Sequence, residues 1–262
     1  MYAKKSLGQH FLTSEGAVGS ILDASDITED DTVLEIGPGK GVLTSKLVSF
    51  AGKVIAVEKD RDLIPILSEK FKKEIKKGKL KLLEQDILEF EPESLKLEAP
   101  SYKLVANIPY YITGQLIRKF LESTFQPERM VLMVQKEVAE RIVAKDNKES
   151  VLSISVKAYG TPHYVQTVKA GSFFPIPNVD SAILLIDSIS KDFFRGFSEA
   201  DFFTMLKAGF KSKRKKLSSN LLEIADKEKI IQAFEKRGLS DNIRAEDVSF
   251  TEWQKLAEEI LI

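Results

Sequence analysis

Short apolar runs alternate with helix-length amphipathic segments through the first two-thirds of the chain. The runs are rich in valine, isoleucine and leucine, which is typical of strands buried on both faces of a parallel sheet. They comprise residues 32–36, 54–57, 80–83, 104–106 and 130–134. Helices are predicted between and after them at residues 42–50, 62–73, 114–123 and 136–144. This βαβα alternation indicates a doubly wound α/β domain.

Helical periodicity replaces this alternation towards the end of the chain. Two further apolar runs, residues 164–168 and 182–186, first predict a pair of strands at an antiparallel edge of the sheet. Later helices are predicted at residues 202–210, 217–224, 228–236 and 251–260. We therefore predict an α/β domain over residues 1–188 and a small all-helical domain over residues 189–262.

The composition excludes several classes of protein. The chain has 262 residues and no cysteine, which rules out disulfides, thiolate metal sites and a cysteine nucleophile. No charge-free run reaches membrane-spanning length, and the N-terminal residues lack the apolar core of a secretion signal. We therefore expect a cytoplasmic protein with no membrane partner and no metal site, and a monomer is the simplest expectation.

Basic residues are concentrated in one stretch, although the formal net charge is zero. Residues 207–216 contain no acidic side chain. The basic residues at the end of this stretch are Lys211, Lys213, Arg214, Lys215 and Lys216. Such a stretch can bind the phosphates of an RNA, and the alternative is the solvated face of a helix.

A glycine-rich loop follows the first strong strand and precedes a predicted helix. Gly37 and Gly39 lie in the sequence Ile-Gly-Pro-Gly-Lys-Gly at residues 36–41. Glycines allow a tight turn and the close approach of a ligand, and the helix N-terminus supplies amide donors. The spacing differs from the GxGxxG of dinucleotide-binding proteins. Glu58 ends the next strand, where an acidic side chain can accept both hydroxyls of a ribose, although an NAD-dependent enzyme would share it.

Two further polar positions follow the next two strands. Asp86 comes after the third strand, where it could accept a hydrogen bond from an adenine amine or simply form part of a turn. Asn107 follows the fourth strand and opens the tetrad Asn-Ile-Pro-Tyr at residues 107–110. The Asn107 oxygen and the carbonyls beside Pro109 could accept both hydrogens of an exocyclic amine. Tyr110 offers a face for an extruded base, so the tetrad suits methyl transfer to an aromatic amine.

The ordered set of motifs resembles the KsgA-type ribosomal RNA adenine dimethyltransferases over nearly the whole chain. It begins with Leu-Gly-Gln-His-Phe-Leu at residues 7–12 and includes the glycine loop and the tetrad. It continues with Phe-Phe-Pro-Ile-Pro-Asn-Val-Asp-Ser at residues 173–181 and ends with Arg-Ala-Glu at residues 244–246. The resemblance implies a Rossmann-like class I methyltransferase sheet, S-adenosylmethionine as cofactor, and a role in ribosome maturation. The implied substrate is N6 of two adjacent adenosines in a hairpin loop near the 3′ end of small-subunit ribosomal RNA.

The resemblance also assigns roles to individual residues. The implied cofactor-binding residues are His10, Leu12, Gly37, Gly39, Glu58, Asp86 and Asn107. Asn107, Pro109 and Tyr110 would hold the reacting amine. Phe173 would pack the target base against Tyr110, with the neighbouring Phe174 as the alternative.

Three other functions remain open at this point. A large-subunit RNA methyltransferase would perform the same chemistry at another site, although the long helical tail favours the small subunit. A DNA adenine or glutamine methyltransferase would more often carry a Pro-Pro-Tyr tetrad. A non-catalytic nucleic-acid-binding homologue is disfavoured by the intact glycine loop, Glu58 and Asn107. His163 matches no catalytic motif and is interpreted as an ordinary residue at a strand edge.

Overall fold

The computed structural model describes residue 4 and residues 7–95 and 102–262. The chain divides into two compact units. The first comprises residues 1–139 and 161–189, and the second comprises residues 140–160 and 190–262. The second unit differs from the predicted all-helical domain because it also contains residues 140–160. The physical reason is that Ile154 and Ala158 pack in the apolar core of the helical unit.

The first unit is built on a seven-stranded sheet. A separate two-stranded antiparallel sheet pairs β1 (Phe11–Leu12) with β8 (Phe173–Phe174). The strands of the main sheet are β2 (Thr32–Ile36), β3 (Lys53–Glu58), β4 (Leu80–Glu84), β5 (Lys103–Asn107), β6 (Arg129–Gln135), β7 (Thr161–Val168) and β9 (Ser181–Asp187). Their order across the sheet is β4-β3-β2-β5-β6-β9-β7.

The direction of the strands confirms the predicted α/β class. Strands β2 to β6 pair in parallel, whereas β9 is antiparallel to both of its neighbours. The late pair of strands was therefore correctly predicted as an antiparallel edge. Strand order reverses between β2 and β5, and α/β sheets bind ligands in the crevice at the carboxyl ends of the strands at such a point.

The central strands are apolar because both faces of the sheet are covered. Val33, Leu34, Leu104 and Val105 are completely buried. Full burial of such a side chain contributes roughly 1.5–3 kcal/mol relative to exposure, so the sheet supplies much of the stability of the first unit. This burial explains why the strands are continuous apolar runs without alternation.

Most helices begin and end near the predicted residues. They are α1 (Glu15–Ser25), α2 (Val42–Phe50), α3 (Ile64–Lys70), α4 (Lys72–Lys76), α5 (Thr113–Glu122), α6 (Lys136–Ile142), α7 (Val151–Lys157), α8 (Glu199–Gly209), α9 (Leu217–Leu221), α10 (Lys227–Arg237) and α11 (Phe250–Leu261). The single helix predicted over residues 62–73 was wrong, because the chain leaves helical geometry at Phe71. The ring of Phe71 is buried against Gly41 at this break between α3 and α4.

The second unit has its own core around Trp253, which is completely buried. Its indole nitrogen donates a hydrogen bond of 3.3 Å to the carbonyl oxygen of Ala245. Gly209 lies so close that an added Cβ would be 2.5 Å from the Trp253 ring. The packing of this core therefore requires a glycine at position 209. Among the described residues, no helix is long and apolar enough to span a membrane.

Candidate active site

A cavity in the first unit lies where β2, β3 and β5 end and is closed by the N-terminal segment. Nine residues predicted for the site line it together: His10, Leu12, Gly37, Gly39, Glu58, Asp86, Asn107, Pro109 and Tyr110. They come from separate parts of the chain, and the parallel sheet brings them to one edge. In the described part of the chain, no group of three or more His, Asp or Glu side chains could hold a metal ion.

The glycine loop takes a backbone path that side chains would obstruct. Gly37, Gly39 and Gly41 all have left-handed φ angles, of 67°, 57° and 71°. An added Cβ at Gly39 would lie 2.9 Å from the ring of Phe11. Gly41 caps α2, so the loop leads directly into a helix N-terminus. The amides of Gly37 and Gly41 donate to the main-chain oxygens of Val57, at 3.0 Å, and Pro38, at 2.8 Å, so internal hydrogen bonds hold the loop in this path.

Glu58 ends β3 and lies almost completely buried at the cavity. Its two oxygens accept hydrogen bonds from the amides of Gly39, at 3.1 Å, and Asp60, at 2.8 Å. Burial raises the pKa of Glu58 above its usual value, although these hydrogen bonds oppose the shift. Each carboxylate oxygen has a second lone pair, so Glu58 can still accept from the hydroxyls of a ribose.

Asp86 lies beyond the end of β4, on the same edge. Its oxygens accept hydrogen bonds from the Leu88 amide, at 3.0 Å, and from the Lys59 ammonium, at 2.6 Å. Partial burial raises the pKa of Asp86, but the hydrogen bonds from Lys59 and Leu88 outweigh it and keep the pKa below its usual value. Asp86 is thus a stable anionic acceptor, which suits an exocyclic amine.

Asn107 is oriented by the N-terminal segment. Its amide nitrogen donates a 3.1 Å hydrogen bond to the main-chain oxygen of His10. The Asn107 oxygen is therefore the atom left to accept from a ligand. The Nδ1 atom of His10 is 2.7 Å from the carbonyl oxygen of Pro175, so this nitrogen carries the donated proton. The two contacts link the N-terminal motif to the tetrad and to the Phe-Phe-Pro stretch.

Tyr110 is held by a contact that the sequence did not indicate. Its hydroxyl lies 2.7 Å from the Oγ of Ser181, which is completely buried at the start of β9. Burial raises the pKa of Tyr110, so the phenol remains neutral. The rings of Tyr110 and His10 are nearly parallel, with an angle of 18° and centroids 6.1 Å apart.

The two candidate aromatic rings for the target base differ in exposure. Phe173 was expected to pack the target base, but its side chain is 2% exposed and belongs to the apolar core. Phe174 is 62% exposed instead. The reason is that the chain pairs with β1 at this point, and adjacent residues of a strand point to opposite sides. Of these two rings, that of Phe174 is the accessible one.

Sequence reasoning missed a buried network beside Glu58. Asp60 is 2% exposed and accepts hydrogen bonds from Lys4, at 2.5 Å, and Gln9, at 2.8 Å. Its own amide donates to Glu58, so the N-terminal residues are tied to the predicted ribose acceptor. The one available signal was Gln9, which lies inside the motif at residues 7–12.

Glu35 lines the cavity and also had no predicted role. It is 1% exposed, and its Oε2 has no hydrogen-bond partner within the described chain. Burial raises the pKa of Glu35 to about 8, and the nearby Glu58 carboxylate adds to the shift. Its position in a central strand, one residue before Ile36, gives no sign of this environment.

The basic stretch lies in the second unit, in the connection between α8 and α9. Its five predicted RNA-binding residues are all exposed: Lys211, Lys213, Arg214, Lys215 and Lys216. Lys211 forms an ion pair with Glu223 at 2.5 Å. His163 lies on the edge strand β7 and contacts Asp187 at 3.3 Å.

The fold resembles those of solved RNA-modifying enzymes. The dimethyladenosine transferase from Plasmodium falciparum superposes with a TM-score of 0.78 and 29% identity, over 94% of this chain and 96% of that one. The 23S rRNA methyltransferase ErmE superposes with a TM-score of 0.78 at 24% identity, over 95% of this chain and 99% of that one, and shows the same fold.

Sequence comparison extends the similarity to curated proteins. A Ribosomal RNA small subunit methyltransferase A from Dehalococcoides mccartyi is 46% identical over 259 residues, which is 98% of this chain and 88% of that protein. The protein of the same name from Clostridium botulinum is 37% identical over 257 residues, or 97% of this chain and 92% of that one. The sequence model described as Ribosomal RNA adenine dimethylase matches residues 1–261. The chain therefore belongs to the ribosomal RNA adenine dimethylase family.

Proposed function

We propose that this chain transfers methyl groups from S-adenosylmethionine to N6 of two adjacent adenosines in small-subunit ribosomal RNA. The product is N6,N6-dimethyladenosine in a hairpin loop near the 3′ end of that RNA. The observation that carries the proposal is the position of Asn107, whose amide is fixed by His10 while its oxygen is left to accept in the cavity. Family membership and the small-subunit names of relatives at 37–46% identity support the choice of RNA.

The residues of the cavity fit an adenosine-containing methyl donor. A ribose offers hydroxyl donors that Glu58 can accept, and adenine offers an amine that Asp86 can accept. Gly37 and Gly39 keep side chains away from the remaining part of the molecule. When bound, S-adenosylmethionine supplies an electrophilic methyl group on a sulfonium. Transfer would break the bond between this methyl group and sulfur, and no metal is needed to assist it because the sulfur would leave as a neutral thioether.

The tetrad positions the acceptor amine. N6 of adenine is a weak nucleophile because its lone pair is delocalised into the ring. Two hydrogen-bond acceptors, the Asn107 oxygen and a carbonyl beside Pro109, would draw the amine hydrogens out of the ring plane and aim the lone pair at the methyl group. Tyr110 and Phe174 supply aromatic faces for an extruded base. After transfer, the released N6 proton passes to water.

The second unit supplies phosphate contacts in this proposal. The basic residues 211–216 would bind the RNA backbone without reading its sequence. The near-zero net charge indicates a local contact and not a broadly basic surface. We propose that the protein acts as a monomer in the cytoplasm on the immature small subunit.

The test is methylation of undermethylated ribosomal subunits with labelled donor. Small and large subunits are assayed separately, and their RNA is digested and analysed by mass spectrometry. We expect dimethyladenosine only in small-subunit RNA, and its rate of formation should fall by about 100-fold or more with Asn107→Ala. Label confined to the large subunit, or absent from both, would refute the proposal.

A further inference from the structure

Lys40 lies in the glycine loop and is exposed beside the cavity, yet it has no role in the donor site described above. Two lysines line the cavity, Lys40 and Lys59. Lys59 is neutralised by Asp86 at 2.6 Å. Lys40 forms no ion pair with any residue in the described part of the chain. Of the two lysines among the described residues that line the cavity, Lys40 is therefore the one without an ion-pair partner.

Aromatic rings hold this cation in place. The Lys40 ammonium lies 4.9 Å from the centre of the Phe11 ring and 5.9 Å from that of Phe174. A cation over an aromatic face within about 6 Å is attracted by the electron density of the ring. Phe11 and Phe174 face each other across the small sheet of β1 and β8. Lys40 is thus placed next to the exposed ring of the Phe-Phe pair.

The backbone at Lys40 is fixed as well. Its carbonyl oxygen accepts a 2.9 Å hydrogen bond from Lys70, which also donates to Gly41 at 3.0 Å. The preceding Gly39 packs against Phe11. A lysine whose backbone and ammonium are both held loses less conformational freedom on binding than a free surface lysine. These contacts favour a binding role over a solvated side chain.

We infer that Lys40 binds a backbone phosphate of the extruded nucleotide and so positions the target base. The inference rests on the proposed function and on Phe174 as the stacking ring. An anionic oxygen is the ligand that an unpaired ammonium selects, and two are available: an RNA phosphate and the carboxylate of the donor. The ammonium lies at the edge of the cavity, between the ring of Phe11, which lines the cavity, and the exposed ring of Phe174, which does not. The phosphate is favoured because the nucleotide that stacks on Phe174 would approach from this outer side, whereas the donor would occupy the cavity itself.

The position of Lys40 distinguishes it from the lysines of the basic stretch. Residues 211–216 can bind many phosphates without regard to which nucleotide is extruded. Lys40 would contact only the phosphate attached to the nucleotide in the site. Its loss should therefore act on the productive binding of RNA and leave the donor site intact.

The test compares K40M and K40R with the control K46M. Methionine keeps the length and apolar stem of the side chain and removes the charge, and arginine keeps the charge. Lys46 lies on α2, 48% exposed, and contacts Glu15 at 3.7 Å, outside the site. Donor affinity is measured by calorimetry, and kcat and KM are measured with undermethylated small subunits over a range of salt concentrations.

We expect K40M to raise KM for the small subunit by about tenfold or more, the effect of losing one charged hydrogen bond. The slope of log(kcat/KM) against log[salt] should become shallower by about 0.7 to 0.9, the value for one phosphate contact. Donor affinity should stay unchanged, K40R should restore most of the loss, and K46M should match the wild type.

Two results would overturn the inference. Weakened donor binding in K40M with an unchanged salt slope would assign Lys40 to the donor carboxylate. Wild-type values of KM, salt slope and donor affinity in K40M would show that Lys40 is an ordinary solvated side chain. Failure of the wild-type protein to methylate small subunits would instead refute the proposed function. Equal melting temperatures of all variants exclude misfolding as the cause of a loss.

Discussion

The hydrogen bond between Tyr110 and Ser181 offers the sharpest test of how the tetrad is held. The two hydroxyls lie 2.7 Å apart, and Ser181 is completely buried whereas Tyr110 is only half-buried. Tyr110→Phe removes the tyrosine hydroxyl and leaves the buried hydroxyl of Ser181 without this hydrogen-bond partner. A buried polar group without a partner costs about 1–3 kcal/mol. We expect Tyr110→Phe to lower the free energy of unfolding of the first unit by about that amount.

Removal of the other hydroxyl, that of Ser181, should lower the free energy of unfolding by less. Ser181→Ala leaves the hydroxyl of Tyr110, which can reach water, so we expect a loss of only about 0.5–1.5 kcal/mol. The double variant replaces both hydroxyls with apolar groups and should be no less stable than Tyr110→Phe. The single effects would then not add, and the coupling energy should be about 1 kcal/mol.

Methyl transfer provides the second readout. Tyr110→Phe keeps the aromatic face, so stacking persists and donor affinity should not change. If the ring loses its fixed orientation, kcat should fall about tenfold, which corresponds to about 1.4 kcal/mol of transition-state stabilisation. Urea unfolding and single-turnover kinetics of the three variants measure both effects. Strictly additive losses of stability, together with wild-type kcat in Tyr110→Phe, would show that the contact does not position the ring.

Individual side chains support four further predictions. Asn107→Ala should retain donor binding in calorimetry and lose methyl transfer by about 100-fold or more, since it removes an acceptor that acts on the reacting amine; near-normal turnover would refute the tetrad assignment. Gly41→Ala should lower the melting temperature, because the added Cβ would lie 2.6 Å from the Phe71 ring at a φ of 71°; an unchanged melting temperature would contradict this packing. Since the pKa of Glu35 is raised from 4.5 to about 8 in the folded protein, the folded state binds more protons between these pH values and stability should fall as pH rises through them. Glu35→Gln should flatten this pH dependence in urea unfolding, and an equally steep profile would argue against the shift. Replacing the basic residues 213–216 with alanine should weaken RNA binding and reduce its salt slope by about 0.7 for each phosphate that is no longer bound, whereas an unchanged slope would show that these residues do not bind the RNA.

The strands of the sheet could be predicted from the sequence because strands that are buried on both faces are continuous apolar runs. The strand at Thr32–Ile36 and the helix at Val42–Phe50 were predicted with their observed bounds. The short helix α7 was not, because it is stabilised by the reciprocal cap of Ser150 and Ser153, a Ser-Ser pair without the usual glutamate. In addition, its Ile154 packs against residues of the second unit that are far away in the sequence, and local periodicity cannot predict such a contact.

The cavity residues could be named from motif order, but their contacts could not. Adjacent Phe173 and Phe174 are indistinguishable by composition, and only the pairing with β1 decides which ring is exposed. Ser181 contacts Tyr110, which is 71 residues away in the chain, and His10 contacts Asn107, which is 97 residues away. Local sequence patterns cannot predict contacts over such separations. The roles of these residues in binding and catalysis stay predictions.

The second unit is assembled from two stretches of chain, so one cut cannot release it. A fragment that begins at residue 190 omits Ile154 and Ala158, both buried in the helical core. Loss of an isoleucine from such a core costs about 2–5 kcal/mol even when only its side chain is truncated. Chimeras that exchange this unit between relatives therefore need three junctions, near residues 139, 160 and 189. A graft made only at the junction near residue 189 would lack residues 140–160 and would therefore have a cavity in its core.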